Sequence, residues 1–212
     1  GVRVHYGDVL LKHSVGNVGH GLIQIGQKLG AMSGGNSSIV HAAIYVGTIG
    51  NDSHAIAESV GSGLRIAPHN TGSHYTWDVW HTSGHQELRT LASEIASNLA
   101  QRSDNDHGFG SYSKSKATKS AFVTSNPNKT GRAPGANAFL TGLEGGHHRS
   151  YFCSNYVTLA YSTAADILGI GVNAQYRIDL NYEKVSPAEM QKYFQRNHNW
   201  RKTGTIAGGG WG

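Results

Sequence analysis

The sequence predicts an α+β fold in one domain, an antiparallel sheet packed against helices. Two patterns carry that expectation. Short runs of β-branched and aromatic residues, separated by glycine, follow one another up to about residue 80. From Leu88 onward, apolar residues recur at helical spacing. A chain of 212 residues suits a single hydrophobic core, so a single domain over 1–212 is expected.

Taken in order, Asp8 to Lys12 is a short apolar run after Gly7, and Ile39 to Val46 is rich in strand formers and stops at Gly47. On the second of these, Val40, Ala42, Ile44 and Val46 alternate with His41, Ala43 and Tyr45. His54 to Val60, Leu64 to Pro68 and Trp77 to Trp80 complete a series that reads as an antiparallel meander. Ser83 and Gln86 have capping-box spacing before Leu88, Leu91, Ala92, Ile95 and Leu99. A second helix is expected from near Ser150 through Cys153, Tyr156, Val157 and Ala160. Ser186-Pro187-Ala188-Glu189 announces a third, with N-cap, N1 proline and N3 acid in order. Segment 15–30 reads as a glycine-broken helix.

Residues 103–150 are dense in Ser, Asn, Lys and Gly and read as a polar, basic loop insertion. The formal charge of +5 concentrates there: residues 101–150 hold seven Lys and Arg against three Asp and Glu. That bias suits either a solvated loop or an anionic polymer. No run approaches the ~20 apolar residues that cross a bilayer, so no transmembrane segment is expected. No signal-peptide pattern opens the chain.

The one cysteine, Cys153, excludes an intramolecular disulfide and is either a packed core residue or a reactive thiol. Its place at the start of a helix favours the thiolate, because unpaired N–H groups and the positive dipole end lie there. A nucleophilic thiol needs a base. Among 13 histidines, His41 stands out because it interrupts an apolar strand, where an imidazole needs a polar partner. The small same-face neighbour Ala43 leaves room for an approaching helix. His54, His69, His74, His81, His85 and His107 read as surface residues near strand ends or loops. Glu58, an acid inside Ala55–Val60, is preferred to Asp8 as the group that orients the imidazole.

These segments resemble the NlpC-type papain-like cysteine peptidases. The resemblance rests on Gly7-Asp-Val-Leu-Leu11, Val40-His-Ala-Ala-Ile-Tyr-Val-Gly47, Ala57-Glu-Ser59 with Gly63-Leu-Arg-Ile66, and Phe152-Cys-Ser-Asn155. Typical members place the cysteine segment first. Here it comes last, which resembles the circularly permuted branch, as does the Ser186-Pro187 element near the end. The resemblance implies Cys153 as nucleophile, His41 as base, Glu58 as the third polar group, and Asp8 as a structural acid. Glu58 stands where wall peptidases often carry histidine.

The resemblance further implies hydrolysis of peptidoglycan peptides through an acyl-enzyme, with no cofactor. It is similar to type VI secretion effectors, which implies action in a target-cell periplasm without a classical signal peptide, an immunity protein, a secretion-apparatus carrier, and a monomeric enzyme. A lipid or acyl-protein thioesterase or acyltransferase of the same permuted fold is the second reading. The third is a non-enzymatic module that binds an anionic polymer through Lys114, Lys116, Lys119, Lys129 and Arg132. No aromatic interleaving or groove-reading motif accompanies those charges, so no specific nucleic acid is expected. Metal catalysis is disfavoured: no His-Glu-x-x-His or cysteine pair occurs, and His147-His148 are adjacent and ill-placed to chelate one ion.

Overall fold

Glycine turns and alternating apolar residues set up a strand series that begins at the N-terminus. The computed structural model describes residues 1–13, 39–49, 52–68, 75–105, 151–171, 177–182 and 184–207. Its strands are β1 (Val9–His13), β2 (Ile39–Ile49), β3 (Asp52–Val60), β4 (Gly63–Pro68), β5 (Thr76–Thr82) and β6 (Trp200–Ala207). Three helices accompany them: α1 (Gln86–Asn105), α2 (Cys153–Ile167) and α3 (Pro187–Arg196). The architecture is α+β, with one six-stranded sheet in the order β4-β3-β2-β1-β5-β6 and every pair antiparallel.

The meander expected from the sequence holds for β1 to β4 only. β5 does not continue beyond β4; it returns to the other side of β1 and pairs there from Val9↔Trp80 to Lys12↔Trp77. β6 was not foreseen. Of its eight residues only Trp200 and Ile206 are buried, so it carries too little apolar alternation to read as a strand.

Two apolar clusters flank the sheet. Ala42, Ile44 and Val46 of β2 share the larger one with Leu88, Ala92, Leu99, Tyr156, Val157 and Cys153. Ala43 and Tyr45 join Leu10, Ile56, Trp77, Val79 and Ile206 in the smaller one, with Val2 and Val4 packed against it. The helices therefore cover the Ala42/Ile44 face, not the Ala43 face expected to receive them. Helix α2 is buried along its length from Cys153 to Ala165, which suits a central helix better than a surface one.

Helix boundaries follow local chemistry. Ser186 caps α3 by accepting from the Glu189 amide, and Glu189 returns the bond to the Ser186 amide, a complete capping box with Pro187 at N1. The box expected at Ser83 is absent. Helix α1 starts at Gln86, the His85 carbonyl accepts from Arg89, and the Ser83 amide donates to Asn199 instead. Helix α1 also continues to Asn105, so the segment expected as a loop from 103 opens with its last turn; residues 106–150 and 14–38, with the helix expected at 15–30, lie outside the described residues. No described helix is long and apolar enough to cross a membrane.

Candidate functional site

Each component of the candidate site is placed by a different element. Cys153 is the first residue of α2, after Phe152 in extended conformation. Phe152 brings no side-chain acceptor to the helix start, so the first-turn amides point outward without a capping oxygen. The helix is held in place near that end by Ser154 Oγ donating to Val185 O at 2.6 Å and Asn155 Nδ2 donating to Tyr182 O at 2.6 Å. Farther along, the Tyr161 hydroxyl donates to Gly7 O at 2.5 Å.

His41 lies near the start of β2, beside a register shift. Lys12 pairs with His41 and His13 with Ile39, which leaves Val40 as an extra residue in β2. A bulge of this kind bends the strand and re-aims neighbouring side chains. His41 Nε2 is 2.7 Å from Glu58 Oε2. Glu58 pairs with Ala43 on one side and Arg65 on the other. Its second oxygen accepts from Arg65 Nε at 2.8 Å and from an Arg65 terminal nitrogen at 2.7 Å. Both carboxylate oxygens are thus engaged, as a buried charge requires.

The Cys153 thiol lies close enough to the His41 ring for each to shift the other's charge, and the Ala42 and Ser154 amides act on the sulfur as well. With Nε2 committed to Glu58, Nδ1 is the nitrogen left for the thiol. The structure thus brings together Cys153, His41 and Glu58, and adds Arg65, which sequence reasoning had not singled out. Its signal was available: Arg65 falls where a hairpin after Gly61-Ser62 places it opposite Glu58.

The electrostatics follow from this chain of contacts. Burial opposes the charge on His41, but the Cys153 sulfur and the Glu58 carboxylate outweigh it and push the imidazole up to about 9. Burial would raise Glu58, yet His41 and Arg65 hold it down at about 2. Burial likewise opposes the Cys153 thiolate, and His41 with the two amides brings the thiol below its ordinary value. Both shifts favour the charged forms, so the arrangement assists transfer of the thiol proton to the imidazole.

No family model matches this chain, and neither a curated protein nor a solved structure matches it.

Asp8, the competing acid, serves a different histidine. It is fully buried, and its Oδ1 lies 2.7 Å from His81 Nδ1 while Oδ2 accepts from the His5 amide at 2.9 Å. His81 is therefore a buried residue and not the surface histidine expected. Its place near the end of β5, next to Thr82 and Ser83, concealed that. Gly7 makes the preceding turn at φ 83°, and a Cβ there would run into the Arg89 carbonyl at 2.2 Å. His54 is part-buried against the Tyr45 hydroxyl at 3.0 Å. His69, His74, His107, His147 and His148, with the basic residues Lys114, Lys116, Lys119, Lys129 and Arg132, lie outside the described residues.

His5, Asp8 and His81 have donor types suited to a metal, and one ligand atom of each lies within 4.8 Å of the others. Both Asp8 oxygens are already engaged. Burial lowers the His5 imidazole; Asp8 opposes that, while the charges of His81, Arg3 and Arg89 add to it. The grooves along α1, lined by residues such as His85 and Glu94 or Tyr6 and Ser97, include none of Cys153, His41 and Glu58.

Proposed function

We propose that this chain is a cysteine hydrolase of the circularly permuted, NlpC-type papain-like class, cleaving amide bonds of peptidoglycan peptides through an acyl-enzyme. One observation carries the reading: His41, hydrogen-bonded through Glu58 to Arg65, lies within electrostatic reach of the Cys153 thiol at the start of α2. An imidazole in that setting holds the thiol proton, and the thiolate attacks the substrate carbonyl. The free amides at the start of α2 supply hydrogen-bond donors for the negative charge that develops on the carbonyl oxygen. His41 then gives its proton to the leaving amine and takes one from the water that releases the acyl group. Glu58 holds the ring in one orientation and one tautomer, and Arg65 holds Glu58.

The substrate class rests on the family resemblance, as do delivery to a target-cell periplasm and the partnership with an immunity protein and a secretion carrier. The decisive experiment incubates the protein with purified sacculi and identifies released muropeptides by mass spectrometry. New peptide termini from the wild type and none from Cys153→Ala support the reading. Intact muropeptides from acid to mildly alkaline pH overturn it.

A further inference from the structure

On the strand beside His41 lies a cation with no assigned work. Lys12 is the direct cross-strand partner of His41 on one side and of Trp77 on the other. Its ammonium sits 3.2 Å from the centroid of the Tyr75 ring and 5.4 Å from that of Trp77. Trp77 in turn meets the His41 ring edge-on, with centroids 6.0 Å apart. Lys12 and His41 therefore form one contiguous row of side chains with the buried Trp77 across β2, β1 and β5.

Lys12 is part-buried, yet it makes no ion pair among the described residues. The acid whose charge reaches it is Glu58, and both oxygens of Glu58 are taken by His41 and Arg65. Burial lowers the Lys12 ammonium, Glu58 opposes the shift, and Arg65 adds to it. Aromatic faces attract a cation but do not neutralise it. A partly desolvated ammonium held in place by two aromatic rings is prepared for an anion that arrives from outside. Tyr75 and Trp77 also limit where that anion can lie.

We propose that Lys12, with Tyr75 and Trp77, is a subsite for a substrate carboxylate adjacent to the bond that Cys153 attacks. The proposal rests on the hydrolase reading and narrows its substrate to acidic peptides. A carboxylate on Lys12 pairs with the ammonium, while the rings shield the contact from water. An amidated counterpart loses the charge and leaves the ammonium unpaired, so it is held less well.

The single cysteine permits a test that needs no turnover. Iodoacetate carries a carboxylate beside its reactive carbon, and iodoacetamide carries the neutral amide. The full chain is alkylated with each, and modification of Cys153 is followed by intact mass. The ratio of the two rate constants cancels changes in thiolate fraction. Relative to a small free thiol, the wild type is expected to favour iodoacetate. Lys12→Met should lower that preference about five- to tenfold, the scale of a part-buried ion pair. Lys12→Arg should retain it within about twofold, as should the control Lys202→Met, whose lysine pairs with Asp78 at 2.6 Å on β6. Should Lys12→Met lose its circular dichroism spectrum, Lys12→Gln takes its place. A ratio unchanged by removal of the Lys12 charge overturns the subsite.

A second arm compares peptides with a free or amidated carboxylate beside the cleaved bond. The wild type should discriminate through KM, and Lys12→Met should not. If the wild type cleaves neither peptide, the peptidase reading fails, and the alkylation ratio still decides the subsite.

Discussion

Two histidine–carboxylate pairs stand in this molecule at the same distance, 2.7 Å, and have different surroundings. His81 and Asp8 are both buried, and the second Asp8 oxygen is spent on the His5 backbone. His41 retains 16% side-chain exposure, and its ring faces a thiol at a helix start. The second oxygen of Glu58 is spent on a guanidinium that is itself 43% exposed. A buried pair closed on every side joins the N-terminal segment to β5. The other pair leaves one nitrogen facing a nucleophile. Proximity of an imidazole to a carboxylate is thus insufficient to mark chemistry; what the remaining ring nitrogen meets is decisive.

The sharpest way to break this comparison is to remove each imidazole. His41→Ala should lower hydrolysis by about 10³-fold or more, the scale of a lost general base that also activates the nucleophile. His81→Ala should leave kcat within a few-fold and instead lower stability by about 1–3 kcal/mol, because Asp8 keeps its burial and loses a partner. Denaturant unfolding beside turnover of the same preparations separates the two outcomes. Equal losses of activity without loss of stability would show that the pairs are equivalent.

Replacing the acids should have a smaller effect. Glu58→Gln should lower kcat by roughly 10- to 100-fold, since the ring loses its orienting charge while the thiol remains in contact with it. Asp8→Asn should cost about 1–3 kcal/mol of stability and little activity. Titration is the mildest probe. His41 must be protonated to serve the leaving group, so hydrolysis should decline as pH rises through about 9. Folding stability shares that limb: a ring raised above its ordinary value stabilises fully below about 6.5, and the contribution is lost as pH rises through about 9. Glu58 acts in the opposite direction. Held at about 2, it stabilises above its ordinary range near 4.5, and that contribution is lost as pH falls toward 2. In Glu58→Gln the acid limb of stability should flatten, which thermal melts across pH 2–5 would detect.

How much of this was legible in the sequence varies with burial. A histidine and an acid inside apolar strands are costly unless they meet, so His41 and Glu58 could be paired before any coordinates. The start of α3 was legible because its capping box is local chemistry. The Cys153 helix was legible from apolar spacing, although its packing face was not, since a strand flanked by small residues on both sides does not say which side is covered. His81 was misread because a residue near a strand end carries no periodic signal of burial. Strand β6 was invisible because its stability comes from pairing with β5 and from two anchors. Trp200 stacks on Phe194 at 4.2 Å, and Ile206 joins the smaller cluster.

The order of the elements along the chain has a further consequence for how the protein comes into being. The base and its carboxylate leave the ribosome first, on β2 and β3, whereas the thiol follows 95 residues after Glu58, on α2. At about 5–20 residues per second, the His41–Glu58 hairpin waits on the order of 5–20 s for its sulfur. During that interval the site lacks its thiol, and a polypeptide cut short anywhere before residue 153 lacks Cys153. β6 reinforces the delay, because it completes the sheet beside β5 only after α2 and α3 have been made. Synthesis itself acts as a timer that withholds reactivity until α2 has been made.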